Sequence, residues 1–530
     1  MKGMDQNMKK FLTFVLLAAM MLSLVVVSTS AAAWDGTTVS ESLKGEGTAE
    51  KPYLIETGAD LAFLAKTVNE GEAYVGKYFT QTADIDLGNK EWTPIGTKAK
   101  PFKGVYDGCN KNITGLYITN NANNALGLFG AVYPDFVEVG IANVNLKGAI
   151  IIDNPSVDAG MGGLVGCGYQ DSGNLAENSL NITNCVVDVD ITMTNCTKQP
   201  RLGGVMGYMF TGRIENVEYK GTINYTGATG NSRVGGIIGQ GNRFAATNCV
   251  NNGEITVAHT KAGANVGGII GMQTSKGDPA TQYNNCVNNG NITVTMGEDS
   301  KKTALVAGIV GGIYSPDSMY NAEINNCLNT GDISATTIAA DGLLRVSGIL
   351  AYAAKDFMYV NDCVNSGLIL ATGGAEAYAG DIVGLTKDIA ETTRFHVKNC
   401  IAAGNLAGEI TCTVENNKEN VAAAEVEAAA KVITDAITKS AIRINGFPTS
   451  DVVVETTPVT TEKPVETTKA PDKETTKAPD KETTKAPVTT EAPATTEAPK
   501  AQGGCGSIVG GGLAVVALVG IAVIVSKKKD

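Results

Sequence analysis

A chain of 530 residues with a formal charge of -12, a pI near 4.9 and no basic stripe in its centre gives no support to a nucleic-acid surface. Acidity suits an exported surface and selects no partner by itself.

The first elements concern export. Lys2, Lys9 and Lys10 precede an apolar run from Phe11 to Val27, and Ala31-Ala32-Ala33 offers small residues for cleavage before Trp34. Residues 1–33 therefore read as a signal peptide, with an uncleaved anchor as the alternative. Residues 34–130 read as an N-terminal cap with the first turns of a coil. Within them Gly58 to Gly71 forms a short helix with Leu61, Leu64 and Val68 on one face.

Residues 131–412 carry repeats. A glycine block (GGIIG in its fullest form) ends at Gly130, Gly166, Gly207, Gly239, Gly271, Gly311, Ala351 and Gly384. A second block, as in Asn248-Cys249-Val250-Asn251-Asn252-Gly253, centres on Val144, Cys185, Val217, Cys249, Cys286, Cys327, Cys363 and Cys400. From centre to the end of the next glycine block the spacing is 22 residues four times running, then 25, 24 and 21. The opposite gap varies from 10 to 19. Constant arcs that stack, with loops on one face absorbing insertions, are the signature of a solenoid.

Six residues after the centre stand Ile150, Ile191, Ile223, Ile255, Ile292, Ile333, Ile369 and Leu406, an inward aliphatic ladder. The residue before each is mostly polar, as the period of two demands. Gly148, Gly221, Gly253, Gly290, Gly331, Gly367 and Gly404 mark a turn, with Asp188-Val189 the exception, and are expected at positive φ. Asn143, Asn184, Asn216, Asn248, Asn285, Asn326, Asp362 and Asn399 precede the centres, and their amides can hydrogen-bond along the stack. The expected fold is all-β, a parallel β-helix with short helical caps. A β-propeller competes but needs four strands per blade, which about 32 residues with two or three apolar runs do not supply.

Of eleven cysteines, six occupy the centre. Metal or disulfide chemistry is one reading and a column of buried small thiols the other. Val144 and Val217 hold the same position and can neither ligate nor bridge, which favours the second. Cys109, Cys167, Cys196, Cys412 and Cys505 lie off the column and receive no role. No metal, cofactor or catalytic residue is called for, and the GGxxG blocks open no helix that would hold a phosphate.

Residues 413–455 read as a C-terminal helical cap, with Val426, Ile433 and Ile437 at helical spacing between Glu419 and Ser440. Residues 456–506 form a Thr/Pro-rich stalk in which TTKAPDKE recurs, either a spacer or a passive linker. Residues 507–526 read as a transmembrane helix, and 527–530, with Lys527-Lys528-Lys529, as a cytoplasmic tail. The ectodomain is then extracellular.

The ordered run EGTAEKPYLIETGADLAFLAKTVNEG, YFTQTADIDLG, WTPIGT, PFKGVYDG, ITGLYI and GLFG, from Glu46 to Gly130, resembles the start of GLUG-motif surface proteins. The repeats that follow resemble that family's units, to about Ile410. The resemblance implies a right-handed β-helix on an exported cell-surface protein of Gram-positive, Clostridia-like type, of a kind often proposed as adhesins. It also makes Asp84 and Asp86 part of the cap, and it brings no catalytic residues. Val or Leu follows the Cys here, where Tyr is frequent in the family.

The expected function is a membrane-anchored surface protein, an adhesin that binds extracellular glycans or proteins of a host or neighbouring cell. A polysaccharide lyase or glycosidase and a purely structural spacer are the alternatives. Glu254 and Asp332, two rungs apart at about 9.6 Å, approach an inverting-pair spacing, but Asn291 stands between them. His259 and His396 share no motif. The variable loops before each Asn-Cys centre are the expected recognition face.

Overall fold

The computed structural model describes residues within 32–439, apart from 120–123, 134–138, 156–159, 169–179, 228, 275–280, 301, 315–320, 355–356, 385–394, 404–412, 416 and 419–420. The signal peptide, the stalk, the transmembrane helix, the tail, Gly404, Leu406, Cys412 and Cys505 lie outside the described residues. None of the described helices is long and apolar enough to cross a membrane.

Among the described residues thirty strands join in one parallel array, and eight more, from Ala125–Leu126 to Glu376–Gly380, form a second. Each rung pairs in parallel with the next, and the register shifts between Met193 and Cys196 and between Ile113 and Leu116. Ile150, Ile191, Ile223, Ile255, Ile292, Ile333 and Ile369 are successive partners. The first six are buried and Ile369, near the C-terminal end, is half-buried. Each fully buried Ile contributes about 2–3 kcal/mol of transfer free energy, so the ladder is the spine of the core. Between these inward residues, Thr256, Thr293 and Ser334 point outward along one flat face.

The Asn before each centre forms the expected ladder. Asn184, Asn216, Asn248 and Asn285 each donate from Nδ2 to Oδ1 of the preceding rung, at 3.0 to 3.2 Å. All eight residues of this column also have φ between 52° and 61°. That corrects the turn as read from the sequence. Gly148, Gly221, Gly253, Gly290, Gly331 and Gly367 are not at positive φ; the Asn or Asp carries the left-handed residue, which short amide and carboxylate side chains tolerate. The glycines answer a different demand. A Cβ on Gly290 would lie less than 3.0 Å from the Gly253 carbonyl of the rung below.

A second amide ladder runs inside the core, two residues after the centre. Asn251 donates to Asn288, Asn288 to Asn329 and Asn329 to Asn365 at 2.7 to 2.8 Å, and all four are fully buried. The second proton of each amide goes to the carbonyl of Gly253, Gly290, Gly331 or Gly367. Val187 and Tyr219 hold this column in the preceding rungs. The Tyr219 hydroxyl lies 2.9 Å from the carbonyls of Val189 and Thr222. At the other end Asn365 donates to the buried Asp381 at 3.3 Å. This ladder explains the second glycine of the GGxxG block. A Cβ on Gly268 would lie less than 3.0 Å from the Asn288 side chain.

The centre column is a stack of buried thiols. Cys249, Cys286, Cys327, Cys363 and Cys400 direct Sγ to main-chain carbonyls at 3.3 to 3.6 Å. Burial pushes the thiols of Cys185, Cys249, Cys327 and Cys363 up, so they are inert as nucleophiles.

Helix α1, Gly58–Glu70, starts at a capping box in which Thr57 and Asp60 satisfy each other's main-chain N–H. It buries Leu61, Leu64 and Val68 in the main core, as its spacing requires. Helix α2, Ala423–Lys439, buries Val426, Ile433 and Ile437. It departs from its reading as an end cap. Its apolar residues cluster with Val250, Val287, Leu328 and Val364, one from each of four rungs, so it lies along the flank. This accounts for Val or Leu after the Cys: the column is covered and must be aliphatic.

Candidate binding crease

The glycine block turns the chain from the eight-stranded sheet into the long array within two residues, as from Arg201–Gly203 to Met206–Tyr219. The last glycine sits where the two layers meet. A Cβ on Gly207 would overlap the backbone of Gly160 and Met161 in the preceding rung. The layers therefore meet at an outer angle, here called the crease, in which Arg201, Arg233, Arg345, Tyr208, Met272 and Tyr352 are half-buried and Cys167, Gln240, Asn265 and Leu305 are buried.

Two columns line it. From the eight-stranded sheet come Arg201, Arg233, Asn265, Leu305, Arg345 and Tyr378 in register. From the long array come Cys167, Tyr208, Gln240, Met272, Gly312 and Tyr352. The columns meet through their side chains. The Arg201 guanidinium lies over the Tyr208 ring at 5.0 Å, and Arg345 over Tyr352 at 4.4 Å. Arg201 Nε donates to Gln240 at 2.7 Å, and Gln240 to Thr274 at 3.2 Å. Arg233 donates to Gln199 at 3.1 Å. Tyr314 stands 5.5 Å from Tyr352, and its hydroxyl reaches Asn265 at 3.5 Å. Burial pushes the Tyr314 hydroxyl up to about 12, against the pull of Arg345 and Arg233, so it stays a donor at neutral pH.

Half-buried guanidinium groups stack on aromatic faces here, with amides between them. Neither column contains Asp or Glu, so general acid–base chemistry has no pair of carboxylates in them. Tyr314 and Tyr352 lead directly into 315–320 and 355–356, two of the variable loops. The loops themselves, the recognition face expected from the sequence, lie outside the described residues. The Arg column, two residues before the glycine block, went unread, although aligned repeats show it as RLGG, RVGG and RVSG.

The other candidates have structural work. Asp332 accepts the Leu368 N–H and donates its own N–H to Asn291, each at 2.9 Å, so its carboxylate caps the next rung. Asp84 and Asp86 accept main-chain N–H groups of Asn112 and Gly88 at 2.8 Å. His396 stacks on Tyr359 at 5.1 Å. His259 has a partner the sequence did not suggest: its Nε2 is 2.7 Å from Ser232 Oγ. Both are buried, against the Tyr225 ring at 5.1 Å, which leaves no path for a substrate. Cys167 lies in the crease, Cys196 is buried and Cys109 is exposed in a turn. A cleft of about 380 Å³ near the N-terminal end is lined by Trp34, Trp92, Lys66 and Glu70. Both indole N–H groups there are already bonded to carbonyls of the chain.

Burial pushes His259 down to about 4. An unfolded histidine, at about 6.5, binds its proton first, so acid favours unfolding. Stability is complete above about pH 6.5 and falls by about 3 kcal/mol as the pH drops to about 4. Urea midpoints across this range should fall less in His259→Phe than in the parent; equal slopes would show that His259 does not carry the effect.

No protein-family model matches the chain. Over 108 residues it is 37% identical to a candidate Gly-rich membrane protein of Evansella cellulosilytica, covering 20% of this chain and 12% of that one. Over 138 residues it is 27% identical to a halomucin of Haloquadratum walsbyi, covering 24% of this chain and 1% of the relative. The chain thus spans a small part of the relatives it matches. Among solved structures, a candidate immunoglobulin A1 protease from Bacteroides ovatus aligns at 18% identity and a TM-score of 0.37, over 73% of this chain and 89% of that one.

Proposed function

We propose that the chain is a cell-surface adhesin of GLUG-like type, whose parallel β-solenoid presents the Arg–Tyr crease to extracellular glycans. The observation that carries this is the pairing of Arg201 with Tyr208 and Arg345 with Tyr352 in two aligned external columns. A core needs no guanidinium groups at its outer angle. Similarity of one segment to a membrane protein supports a surface location.

The test is a glycan array probed with the purified full chain, alongside an assay for reducing ends. The adhesin reading expects a discrete set of bound glycans and no turnover. It also expects the R201Q/R345Q variant to lose about tenfold or more in affinity, in line with loss of anchoring residues. Reducing ends released at a steady rate, silence on the array, or unchanged binding by a folded double variant would each sink it.

A further inference from the structure

We infer that the ligand of the crease is a linear anionic glycan, carrying carboxylates or sulfates along its length. This rests on the crease being the binding site. In a chain of net charge -12, Arg201, Arg233 and Arg345 stand in one external column. Lys98 adds its charge beside Cys167 at the N-terminal end.

The cations on the column are arginines. A guanidinium meets a carboxylate or sulfate with two parallel N–H bonds, which an ammonium cannot do. Stacking on Tyr208 at 5.0 Å and on Tyr352 at 4.4 Å restrains the Arg201 and Arg345 side chains. The tyrosine faces offer apolar area to the C–H face of a pyranose ring. Gln240 and Asn265 are buried and bonded within the chain, so they brace Arg201 and Tyr314 and leave the ligand to the arginines and tyrosines.

The ligand is linear because the site is. From Arg201 to Arg345 the column advances four rungs, about 19 Å at about 4.8 Å per rung. That rise is close to the advance per sugar of an extended glycan, so one chain lying along the axis meets Arg201 and Arg233 on neighbouring rungs and Arg345 three rungs further on. A neutral glycan would remove water from the guanidinium column and return no charge.

The probes are polygalacturonate for carboxylate, dextran sulfate for sulfate, and unmodified dextran, each titrated into the full chain at low and high salt. Single-stranded DNA serves as the competing polyanion. The expected result is binding of one or both acidic glycans, weakening as salt rises, with dextran silent. R201Q/R345Q should lose at least tenfold, while Arg213→Gln, an exposed arginine outside the two columns, should bind as the parent does. R201K/R345K keeps the charge and should lose affinity by a smaller factor, which covers the case of a glutamine variant that unfolds. Dextran bound equally well, and dependent on Arg201 and Arg345, overturns the anionic ligand and leaves the crease as the site. Acidic glycan bound without regard to those arginines overturns both. Tighter binding of DNA, or no binding of any probe, overturns the inference.

Discussion

Gly290→Ala should lower stability by about 3 kcal/mol or more, read as a fall in the urea midpoint. The new methyl would enter the backbone of the rung below, less than 3.0 Å from the Gly253 carbonyl. No flexible side chain stands there to move aside. Relief requires the rungs to part, yet the neighbouring Asn289 N–H is bonded to the Asn251 carbonyl at 2.8 Å and Val287 N–H to Cys249 at 2.9 Å. The gain from a less flexible unfolded chain, about 0.4–1 kcal/mol, opposes this and is smaller. Because Gly290 is not at positive φ, the cost is one of contact and not of backbone strain. Asn in its place should be at least as damaging as Ala. If Gly290→Asn were tolerated, the position would be a left-handed turn after all.

Asn288→Val should cost about 3 kcal/mol. Asn288 takes one proton from Asn251 and gives one to Asn329, both at 2.7 Å, and gives its other to Gly290 at 2.9 Å. Valine leaves the Asn251 donor and the Asn329 acceptor in a dry core, and each orphan costs about 1–3 kcal/mol. The ladder is a network, so its members should not add. Replacing Asn251, Asn288, Asn329 and Asn365 together by Val removes each amide along with its amide partners, so that only the carbonyls of Gly253, Gly290, Gly331 and Gly367 and the Asp381 carboxylate lose an amide donor. Its total cost should be under half of four times the single-site value. Val187 already fills this column two rungs before Asn251, beside the turn at Gly163. Strictly additive losses would contradict the network.

These two expectations mark what could be read from the chain and what could not. Ile150 to Ile333, the outer Asn ladder and the apolar face of helix α1 follow from periods of two, of one rung and of 3.6 residues, all visible locally. The reason for Gly290 was not local. Asn285 and Gly290 both suit positive φ, and only the Gly253 carbonyl, 37 residues earlier in sequence, decides between them. Helix α2 declared an apolar face through Val426, Ile433 and Ile437, but amphipathicity does not name the surface that face will meet. The crease was half legible. Arg recurs before the glycine block, yet that Arg201 turns onto Tyr208 depends on how sharply the block bends the chain. The Ser232–His259 contact, joining a strand of each sheet, had no signal in the spacing.

The most direct test of the crease is hydroxyl-radical footprinting of the full chain, with and without the glycan it binds most tightly. Bound glycan should slow oxidation at Tyr208, Met272, Tyr314 and Tyr352, while Tyr78, exposed near the N-terminal end, keeps its rate. Protection at Trp34 and Tyr78 with the crease residues unchanged would place recognition elsewhere and contradict the account.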